Sequence, residues 1–306
     1  MKFYIVDAFT ETVFGGNPAG IVILPEGVEF PDDETMRKTA AELRYSETAF
    51  IRKTGDKEFN IRYFTPTTEV KLCGHATIGS FVALADAGLV KEGESYINHT
   101  LAGTIGIDVG EGSVLMDMAV PQYINEIGDE TRQKELYEIM GLSAEGQGVT
   151  PEAYLIPEII STGLPDIMMP VKDERELARI APDFPALAKI SQRYEVVGVH
   201  VFTVNTADGA VHCRNFAPLY DIDEEAATGT SNGALTYYLY RKGIVVSGEE
   251  NTFIQGEAMG RPSKINSMLT GVNGQVKVQV GGNGVILAKG EITFRIHEEH
   301  KSCGTK

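Results

Sequence analysis

The sequence predicts a strand-rich α+β protein made of two similar halves. Short β-rich runs outnumber helical stretches, one order of motifs occurs twice about 150 residues apart, and the composition is that of an ordinary globular chain. The 306 residues are 42% hydrophobic and 23% charged, which excludes disorder along the whole chain. A chain of this length forms one large domain or two medium domains.

The predicted elements follow from hydrophobic periodicity and from turn residues. Runs rich in β-branched and aromatic residues predict strands at residues 3–9, 20–24, 47–52, 59–65, 104–109, 114–119, 197–204, 210–216, 276–280 and 285–296. Helical stretches are predicted at residues 33–43, 76–87, 130–140, 173–180, 184–193 and 230–242. The 33 glycines and 13 prolines are spread between these segments as turn residues and form no linker.

One order of motifs occurs twice: Arg-x-Phe-x-Pro, an acidic loop, a glycine turn and an apolar helix. The first copy begins at Arg62 and has its turn at Gly74, and the second begins at Arg214 and has its turn at Gly229. A period of this length predicts a duplicated domain rather than a solenoid. Two such halves would face each other across one cleft. The alternative is a chance similarity between two glycine-capped helices.

Charged residues give the chain a net charge of −16, from 27 Lys and Arg against 43 Asp and Glu. Such an acidic protein lacks the general electrostatic surface for nucleic acid or for an anionic membrane. No apolar run is long enough to span a membrane, and Asp7 interrupts the first apolar run too early for a secretory signal. With only three scattered cysteines, the sequence favours a reduced, cytoplasmic protein.

Each glycine turn leads into a helix whose first N–H groups have no partner within the helix. Two such helix starts facing one cleft can bind a carboxylate or stabilise an enolate. Neither turn carries a Gly-x-Gly-x-x-Gly or Gly-Lys-Ser/Thr fingerprint, so a nucleotide is not predicted. Ordinary helix capping is the alternative interpretation of both turns.

Four side chains near the turns carry candidate chemistry. Glu47 lies on an apolar face of its predicted strand, which predicts a raised pKa and suits a general base; an exposed strand-end glutamate is the alternative. His75 can transfer a proton near neutrality, or can be a capping or core histidine. Cys73 can be a thiolate activated by the helix start, and its counterpart in the repeat is Thr228. Glu225 is either a second carboxylate in the cleft or part of a solvated acidic loop.

Metal binding is weakly supported by the sequence. The tail offers possible ligands at His297, His300 and Cys303, but it is hydrophilic and terminal and lacks the His-Glu-x-x-His spacing. We therefore expect neither a metal nor a cofactor.

Six motifs carry a family resemblance when they are taken together. They are Asp7-Ala8-Phe9-Thr10, Phe14-Gly15-Gly16-Asn17-Pro18-Ala19-Gly20, Ser46-Glu47-Thr48-Ala49-Phe50, Arg62-Tyr63-Phe64-Thr65-Pro66, Cys73-Gly74-His75-Ala76-Thr77 and Ala227-Thr228-Gly229. In this order they resemble the PhzF-like family of phenazine-biosynthesis isomerases. The resemblance implies a diaminopimelate epimerase-like fold, in which two similar domains each wrap a β-sheet around a central helix. Helices 76–87 and 230–242 would be these central helices.

The resemblance also implies how the chain is divided. One domain would comprise residues 1–118 together with a returning C-terminal segment, 285–306, and the other would comprise residues 119–284. A homodimer is expected on the same basis.

Catalytic roles are implied for three residues. Glu47 matches the family's base, which removes a carbon-bound proton, and His75 matches a histidine that assists proton transfer. Glu225 falls where the family commonly has an aspartate before Pro-Ala-Thr-Gly; here the carboxylate is one methylene longer and the proline is missing. The reach and pKa of this group are therefore open.

Five further residues form the predicted substrate-binding set. Gly74 and Thr230 match positions whose backbone amides hold substrate, and Gly229 and Cys73 lie in the same two turns. Asn17 lies in a loop that borders the cleft in related folds.

The leading hypothesis is a cofactor-independent isomerase that moves a proton on a small carboxylated metabolite. An amino-acid racemase or epimerase, or a dehydratase, using Cys73 is one alternative, and a non-catalytic metabolite-binding protein is another. Two-base epimerisation needs two opposed groups, one to remove a proton and one to return it. The hydroxyl of Thr228 is a far weaker acid than a thiol, so this mechanism is disfavoured.

Overall fold

The computed structural model describes residues 1–148, 154–272 and 275–293. The first half comprises β1 (Lys2–Ala8), β2 (Asn17–Ile23), α1 (Asp33–Leu43), β3 (Thr48–Lys53), β4 (Glu58–Phe64), β5 (Glu69–Val70), α2 (Gly74–Asp86), β6 (Glu94–Thr100), β7 (Gly103–Val109) and β8 (Ser113–Asp117). The second half comprises β9 (Gln122–Glu126), α3 (Glu130–Ile139), β10 (Glu158–Ser161), β11 (Pro165–Pro170), α4 (Glu174–Arg179), α5 (Phe184–Tyr194), β12 (Val199–Thr203), β13 (Val211–Ala217), β14 (Ile222–Glu225), α6 (Gly229–Arg241), β15 (Glu250–Gln255), β16 (Ser263–Val272) and β17 (Gln275–Glu291).

Strand pairing repeats between the halves. In the first half β1–β2 is antiparallel, β2–β3 parallel, β3–β4 antiparallel, β4–β6 parallel, and β6–β7 and β7–β8 antiparallel. The second half has the same sequence of orientations in β10–β11, β11–β12, β12–β13, β13–β15, β15–β16 and β16–β17. This confirms the duplicated α+β fold that the repeat predicts.

Helices α2 and α6 are the central helices of the two sheets. Along α2 nine of the thirteen residues are buried, and α6 also has nine buried residues. Their apolar faces therefore contact strands on most sides, which is why both sequences lack a strong amphipathic pattern. Strand β3 has Ala49 and Ile51 in the core around α2, while Phe50 on its other face packs with Met36 of α1.

The repeated Arg-x-Phe-x-Pro motif has a structural explanation. Arg62 Nε and Nη2 donate to the two carboxylate oxygens of Glu69 at 2.7 and 2.6 Å, and Arg214 binds Glu224 in the same way at 2.8 and 2.7 Å. Each guanidinium also covers the phenylalanine two residues further on, at 5.1 and 5.0 Å from the ring centroid. The motif thus anchors the acidic loop before each glycine turn.

Strand β17 joins the two halves. It pairs with β16, then with β8, and finally with β1, where Gly284 lies opposite Ala8. A Cβ on Gly281 would lie 1.8 Å from the carbonyl oxygen of Val114, so only glycine permits this approach of β8. The division at residues 118 and 284 stays a prediction, and this return of the chain to β1 is the observation that supports it.

Several sequence predictions of individual elements were wrong. The two runs at 276–280 and 285–296 belong to one strand, β17, whose glycines lie where it changes its pairing partner from β16 to β8 and β1. Residues 294–296 lie outside the described residues. The central helices begin at Gly74 and Gly229, one or two residues earlier than predicted. Eight strands were missed: β5, β6, β9, β10, β11, β14, β15 and β16. Most carry many polar residues, and β11 has proline at both ends, so local propensity does not reveal them.

Candidate active site

His75, in the first turn of α2, is the centre of a polar cluster between the two halves. Its side chain is only 4% exposed. His75 Nε2 lies 3.2 Å from Glu47 Oε2, and Nδ1 lies 3.9 Å from Glu225 Oε1. The structure therefore places one imidazole between two carboxylates from different halves of the chain.

Glu47 is the residue immediately before β3, rather than the first residue of the strand. Its carbonyl oxygen accepts a hydrogen bond from Gly20 N at 3.3 Å, which fixes its backbone beside β2. Its side chain is 17% exposed, but atom Oε2 is buried, and no donor in the described residues is in hydrogen-bonding geometry with it. The group that faces this oxygen is therefore the imidazole of His75, 3.2 Å away.

Glu225, the last residue of β14, is held by donors on both oxygens. Thr228 Oγ1 donates to Oε2 at 2.7 Å, and Asn17 Nδ2 donates to Oε1 at 3.2 Å. The fully buried Gln255 donates to the carbonyl oxygen of Glu225 at 2.7 Å and accepts a hydrogen bond from Thr228 N at 3.2 Å. The loop that carries this carboxylate is thus fixed at both side chain and backbone.

Asn17 links the two halves at the site. Besides Glu225, its Nδ2 contacts Ala227 O at 3.1 Å and His75 Nδ1 at 3.2 Å. An amide nitrogen has only two hydrogens, which Glu225 Oε1 and Ala227 O can accept. The structure therefore gives this residue contacts to the acid–base groups.

Cys73 is buried beside the imidazole. Its Sγ lies 3.4 Å from His75 Nδ1 and 3.7 Å from His75 Nε2. Burial, with a smaller contribution from the charge of Glu47, raises the pKa of Cys73 to about 11. The thiol is consequently neutral near neutral pH and is a poor nucleophile or base.

The two helix starts meet at the site. A Cβ on Gly74 would lie 3.8 Å from Gly229 Cα, so the first turns of α2 and α6 approach each other closely. Within the described residues, neither turn is capped by a side-chain oxygen of its N-cap residue. Thr230 follows in α6, and its carbonyl oxygen accepts a hydrogen bond from Thr162 at 2.9 Å. All eight sequence-predicted residues therefore lie in or beside this cluster.

The charge states follow from these contacts. Burial by itself raises the pKa of Glu47, but the hydrogen bond and charge of His75, together with Ser46 and Cys73, bring it below its ordinary value. The prediction of a raised pKa for Glu47 was therefore wrong, because the nearby imidazole outweighs the apolar strand face. Burial raises the pKa of Glu225, and its contact with His75 offsets only part of that effect.

The pKa of His75 shifts in the direction opposite to the one that burial alone would give. Desolvation lowers its pKa, but contacts with Cys73 and Glu47 raise it well above its usual value. Because the thiol is neutral near pH 7, the negative charge that stabilises the imidazolium there is Glu47. The lowered pKa of Glu47 and the raised pKa of His75 both favour an ion pair between these two groups, which lie 3.2 Å apart.

Three contributing residues were missed as site residues by the sequence reasoning. Ser46 Oγ lies 3.4 Å from His75 Nε2, and Thr228 and Gln255 hold Glu225. Ser46 is next to a predicted residue, and Thr228 was weighed only as the counterpart of Cys73, not as a partner of Glu225. Gln255 has no local signal, because only strand β15 brings it to the site.

Comparisons with known proteins show which family the chain is similar to. A model of the phenazine biosynthesis-like protein family matches residues 6–290. An uncharacterized isomerase of Clostridium acetobutylicum is 33% identical over 307 residues, covering 96% of this chain and 98% of that protein. The trans-2,3-dihydro-3-hydroxyanthranilate isomerase of Pseudomonas chlororaphis is 30% identical over 305 residues, covering 95% of this chain and 99% of that protein.

Solved structures show the same similarity. A phenazine biosynthesis protein of the PhzF family from Bacillus anthracis has a TM-score of 0.82 and 26% identity, covering 96% of this chain and 99% of that chain. A hydroxyproline epimerase from Agrobacterium vitis has a TM-score of 0.59 and 15% identity, covering 95% and 90%, which shows the fold alone. Fold and comparisons together define an isomerase with a diaminopimelate epimerase-like architecture. The chain belongs to the phenazine biosynthesis-like, or PhzF, family. Within the described residues, no helix is long and apolar enough to cross a membrane.

Proposed function

We propose that the protein moves a proton between carbon atoms of a small carboxylated metabolite by general acid–base catalysis without a cofactor. The observation that carries this proposal is the imidazole of His75 between the carboxylates of Glu47 and Glu225. The environments push the pKa values of the two glutamates in opposite directions. Such a separation assigns one carboxylate as base and the other to the acid side of the site.

Glu47 is the base in this mechanism. Its ionised carboxylate removes a proton from carbon, and the electron pair of the broken C–H bond moves into the conjugated system of the substrate as an enolate. The acid is the pair His75 and Glu225, whose pKa values are both raised. His75 Nδ1 lies 3.9 Å from Glu225 Oε1, so the proton that the pair holds is close to both groups. Return of a proton to a different carbon completes the isomerisation.

The helix starts supply the binding energy for the anion. Backbone N–H groups in the first turns of α2 and α6, at Gly74 and Gly229, would hold the substrate carboxylate or the developing enolate. These neutral donors let a chain with a net charge of −16 bind an anion.

The substrate class is tested by hydrogen exchange. We expect deuterium from D₂O to enter one carbon position when the protein is incubated with its substrate, because the abstracted proton exchanges with solvent. A panel of small carboxylic acids should begin with trans-2,3-dihydro-3-hydroxyanthranilate, which the Pseudomonas relative is named for. Mass spectrometry and NMR identify the labelled carbon. Absence of exchange across cyclic and acyclic unsaturated acids would contradict the proposal.

Replacement of the base separates this mechanism from a thiol mechanism. Glu47→Gln keeps the side-chain shape but removes the base, so turnover should fall by about 10²-fold or more with little change in folding. Cys73→Ala should cost much less, because the thiol is protonated near neutrality. Steady-state kinetics and circular dichroism measure both effects. If Cys73→Ala abolishes activity and Glu47→Gln does not, a Cys73-dependent racemase, epimerase or dehydratase replaces the isomerase.

A further inference from the structure

Three possible metal ligands of different chemistry meet in the candidate active site. One carboxylate oxygen of Glu47, Sγ of Cys73 and a ring nitrogen of His75 all lie within 4.8 Å of one another. His75 Nε2 is 3.7 Å from Sγ and 3.2 Å from Glu47 Oε2. Tetrahedral zinc has bonds of about 2.3 Å to sulfur and about 2.0–2.2 Å to nitrogen and oxygen, so its ligand atoms lie about 3.4–3.6 Å apart. The two separations that involve Nε2 are close to the edges of such a tetrahedron, and Sγ lies within 4.8 Å of the Glu47 carboxylate oxygen.

The donor types determine which cation fits. Thiolate and imidazole select zinc and similar transition metals over Mg²⁺ and Ca²⁺, which prefer oxygen ligands. Glu47 Oε2 is buried, and within the described residues its contact with His75 Nε2 at 3.2 Å does not have hydrogen-bond geometry. A bound cation would satisfy this atom.

The surroundings of His75 resemble the outer shell of zinc sites. Metal bound at Nε2 requires the other ring nitrogen to be oriented by an acceptor, most often a carboxylate or carbonyl oxygen. The carboxylate oxygen that faces Nδ1 is Glu225 Oε1, at 3.9 Å. Three protein ligands leave a fourth position for water.

We propose that Glu47, Cys73 and His75 form a binding site for Zn²⁺, and that zinc bound there inhibits the isomerase. On binding, the S–H bond of Cys73 and the Nε2–H bond of the His75 imidazolium break and both protons leave to solvent, while the lone pairs of Sγ, Nε2 and Glu47 Oε2 form the bonds to zinc. The same oxygen can then no longer accept a proton from carbon. The inhibition rests on the proposed role of Glu47 as base, whereas the binding does not.

The binding test uses the full-length protein after removal of metal by a chelator. Its background variant is His297→Gln/His300→Gln/Cys303→Ala, which removes the possible ligands of the tail. We expect one Zn²⁺ per chain by calorimetry, and with Co²⁺ an absorption band of a thiolate–cobalt bond. Cys73→Ala should abolish this band and weaken zinc binding at least about 100-fold, the upper end of what loss of an outer-shell partner costs. Cys73→Ser should have the same effect on the band.

A matched control tests whether zinc binds instead at His212, a second histidine with acidic neighbours. His212 Nδ1 lies 2.8 Å from Glu257, and its Nε2 lies 3.2 Å from Asp208, so the carboxylates face opposite sides of the ring. Asp208→Asn should leave the stoichiometry and the cobalt band unchanged.

Three outcomes would overturn the inference. The site is wrong if the cobalt band survives in Cys73→Ala, or if binding disappears in the tail variant or in Asp208→Asn. The inhibition is wrong if zinc binds through Cys73 and turnover stays unchanged. Failure of the proposed function has a different signature, because Glu47→Gln would then remain active in metal-free buffer.

Discussion

At the scale of single residues, His75 determines the charge state of the site, because both carboxylates approach its ring. Glu47 and His75 stabilise each other as an ion pair, whereas the more distant Glu225 retains a raised pKa. The shifts therefore favour the ionised form of Glu47 and the protonated forms of His75 and Glu225. Strongly coupled groups of this kind titrate as a unit.

The pH dependence of turnover follows from these directions. On the acidic side, kcat/KM should fall only below pH 4.5, the ordinary pKa of a glutamate, because the pKa of the base Glu47 is lowered. On the alkaline side, kcat/KM should fall only above pH 6.5, the ordinary pKa of a histidine, because the pKa of His75 is raised and the imidazolium loses its proton at a higher pH. A pH–rate profile measures both limbs. His75→Asn should remove the upper limb, and an unchanged upper limb in this variant would contradict the assignment.

Asp166 provides a test of stability away from the site. It is 2% exposed, accepts hydrogen bonds from Gly198 N and Ser231 Oγ, and burial raises its pKa to about 6. Between the unfolded value of 3.8 and this folded value, the folded protein binds the proton more tightly, so stability should fall as pH rises. A shift of about two units corresponds to about 3 kcal/mol. Asp166→Asn should flatten this part of the curve in urea titrations; an unchanged slope would exclude Asp166 as its source.

At the scale of elements, the arginine of each repeat fixes the acidic loop before a central helix. The two copies differ in their further contacts: Arg214 Nη1 donates to the carbonyl oxygens of Leu177 and Ile180 at the end of α4, at 3.2 and 3.0 Å, whereas Arg62 Nη2 donates to the exposed Asp33 of α1 at 2.9 Å. Its side chain is 11% exposed, against 21% for Arg62. Each arginine therefore ties its loop to a neighbouring helix, and the contacts of Arg214 are the more buried.

Removing each arginine should reveal this difference. Arg214→Ala should lower the free energy of unfolding by about 3 kcal/mol, since it leaves Glu224 partly buried without its cation and frees two carbonyls. Arg62→Ala should cost less. Urea denaturation followed by circular dichroism compares the two, with the exposed Lys38→Ala, paired only with Glu34 across one helical turn, as a control that should be silent. Equal losses in both arginine variants would contradict the argument.

At the scale of the whole molecule, an arginine from the second half fastens a loop of the first. Arg261 donates to the carbonyl oxygens of Gly15 and Gly16 at 2.7 and 2.8 Å, and to Asp7 Oδ1 at 2.9 Å. This loop leads directly to Asn17, which contacts the acid–base groups. The relative position of the halves and the geometry of the site are thus coupled. The homodimer stays a prediction that light scattering can test.

Loss of this contact should destabilise the protein as a whole. Asp7 is 1% exposed, so Arg261→Ala would leave a buried charge without its partner and should cost about 3–5 kcal/mol. The double variant Asp7→Asn/Arg261→Ala should recover part of the loss, because no buried charge remains. Thermal and urea unfolding measure both. If the double variant is no more stable than Arg261→Ala, the loss does not come from the charge of Asp7.

The sequence by itself determined the duplication, the two central helices and the residues that meet in the cleft. Local signals suffice here: the motifs beginning at Arg62 and Arg214 occur in one order, and Gly74 and Gly229 mark two helix starts. Glu47, His75 and Glu225 stand next to these signals, and the resemblance to the PhzF-like family gave them roles. Physical reasoning from residues alone had left an exposed glutamate and a capping histidine as open alternatives.

Only the tertiary structure decided the direction of the pKa of Glu47, the contribution of Gln255 and the path of β17. Each depends on contacts between residues far apart in the chain. The pKa reflects an imidazole that packing brings within 3.2 Å, and Gln255 reaches Glu225 through the pairing of β15 with β13. Strand β17 is continuous through its glycines because β8 and β1 approach too closely for side chains. Periodicity and local propensity carry no information on such distances, which are set when the two halves pack together.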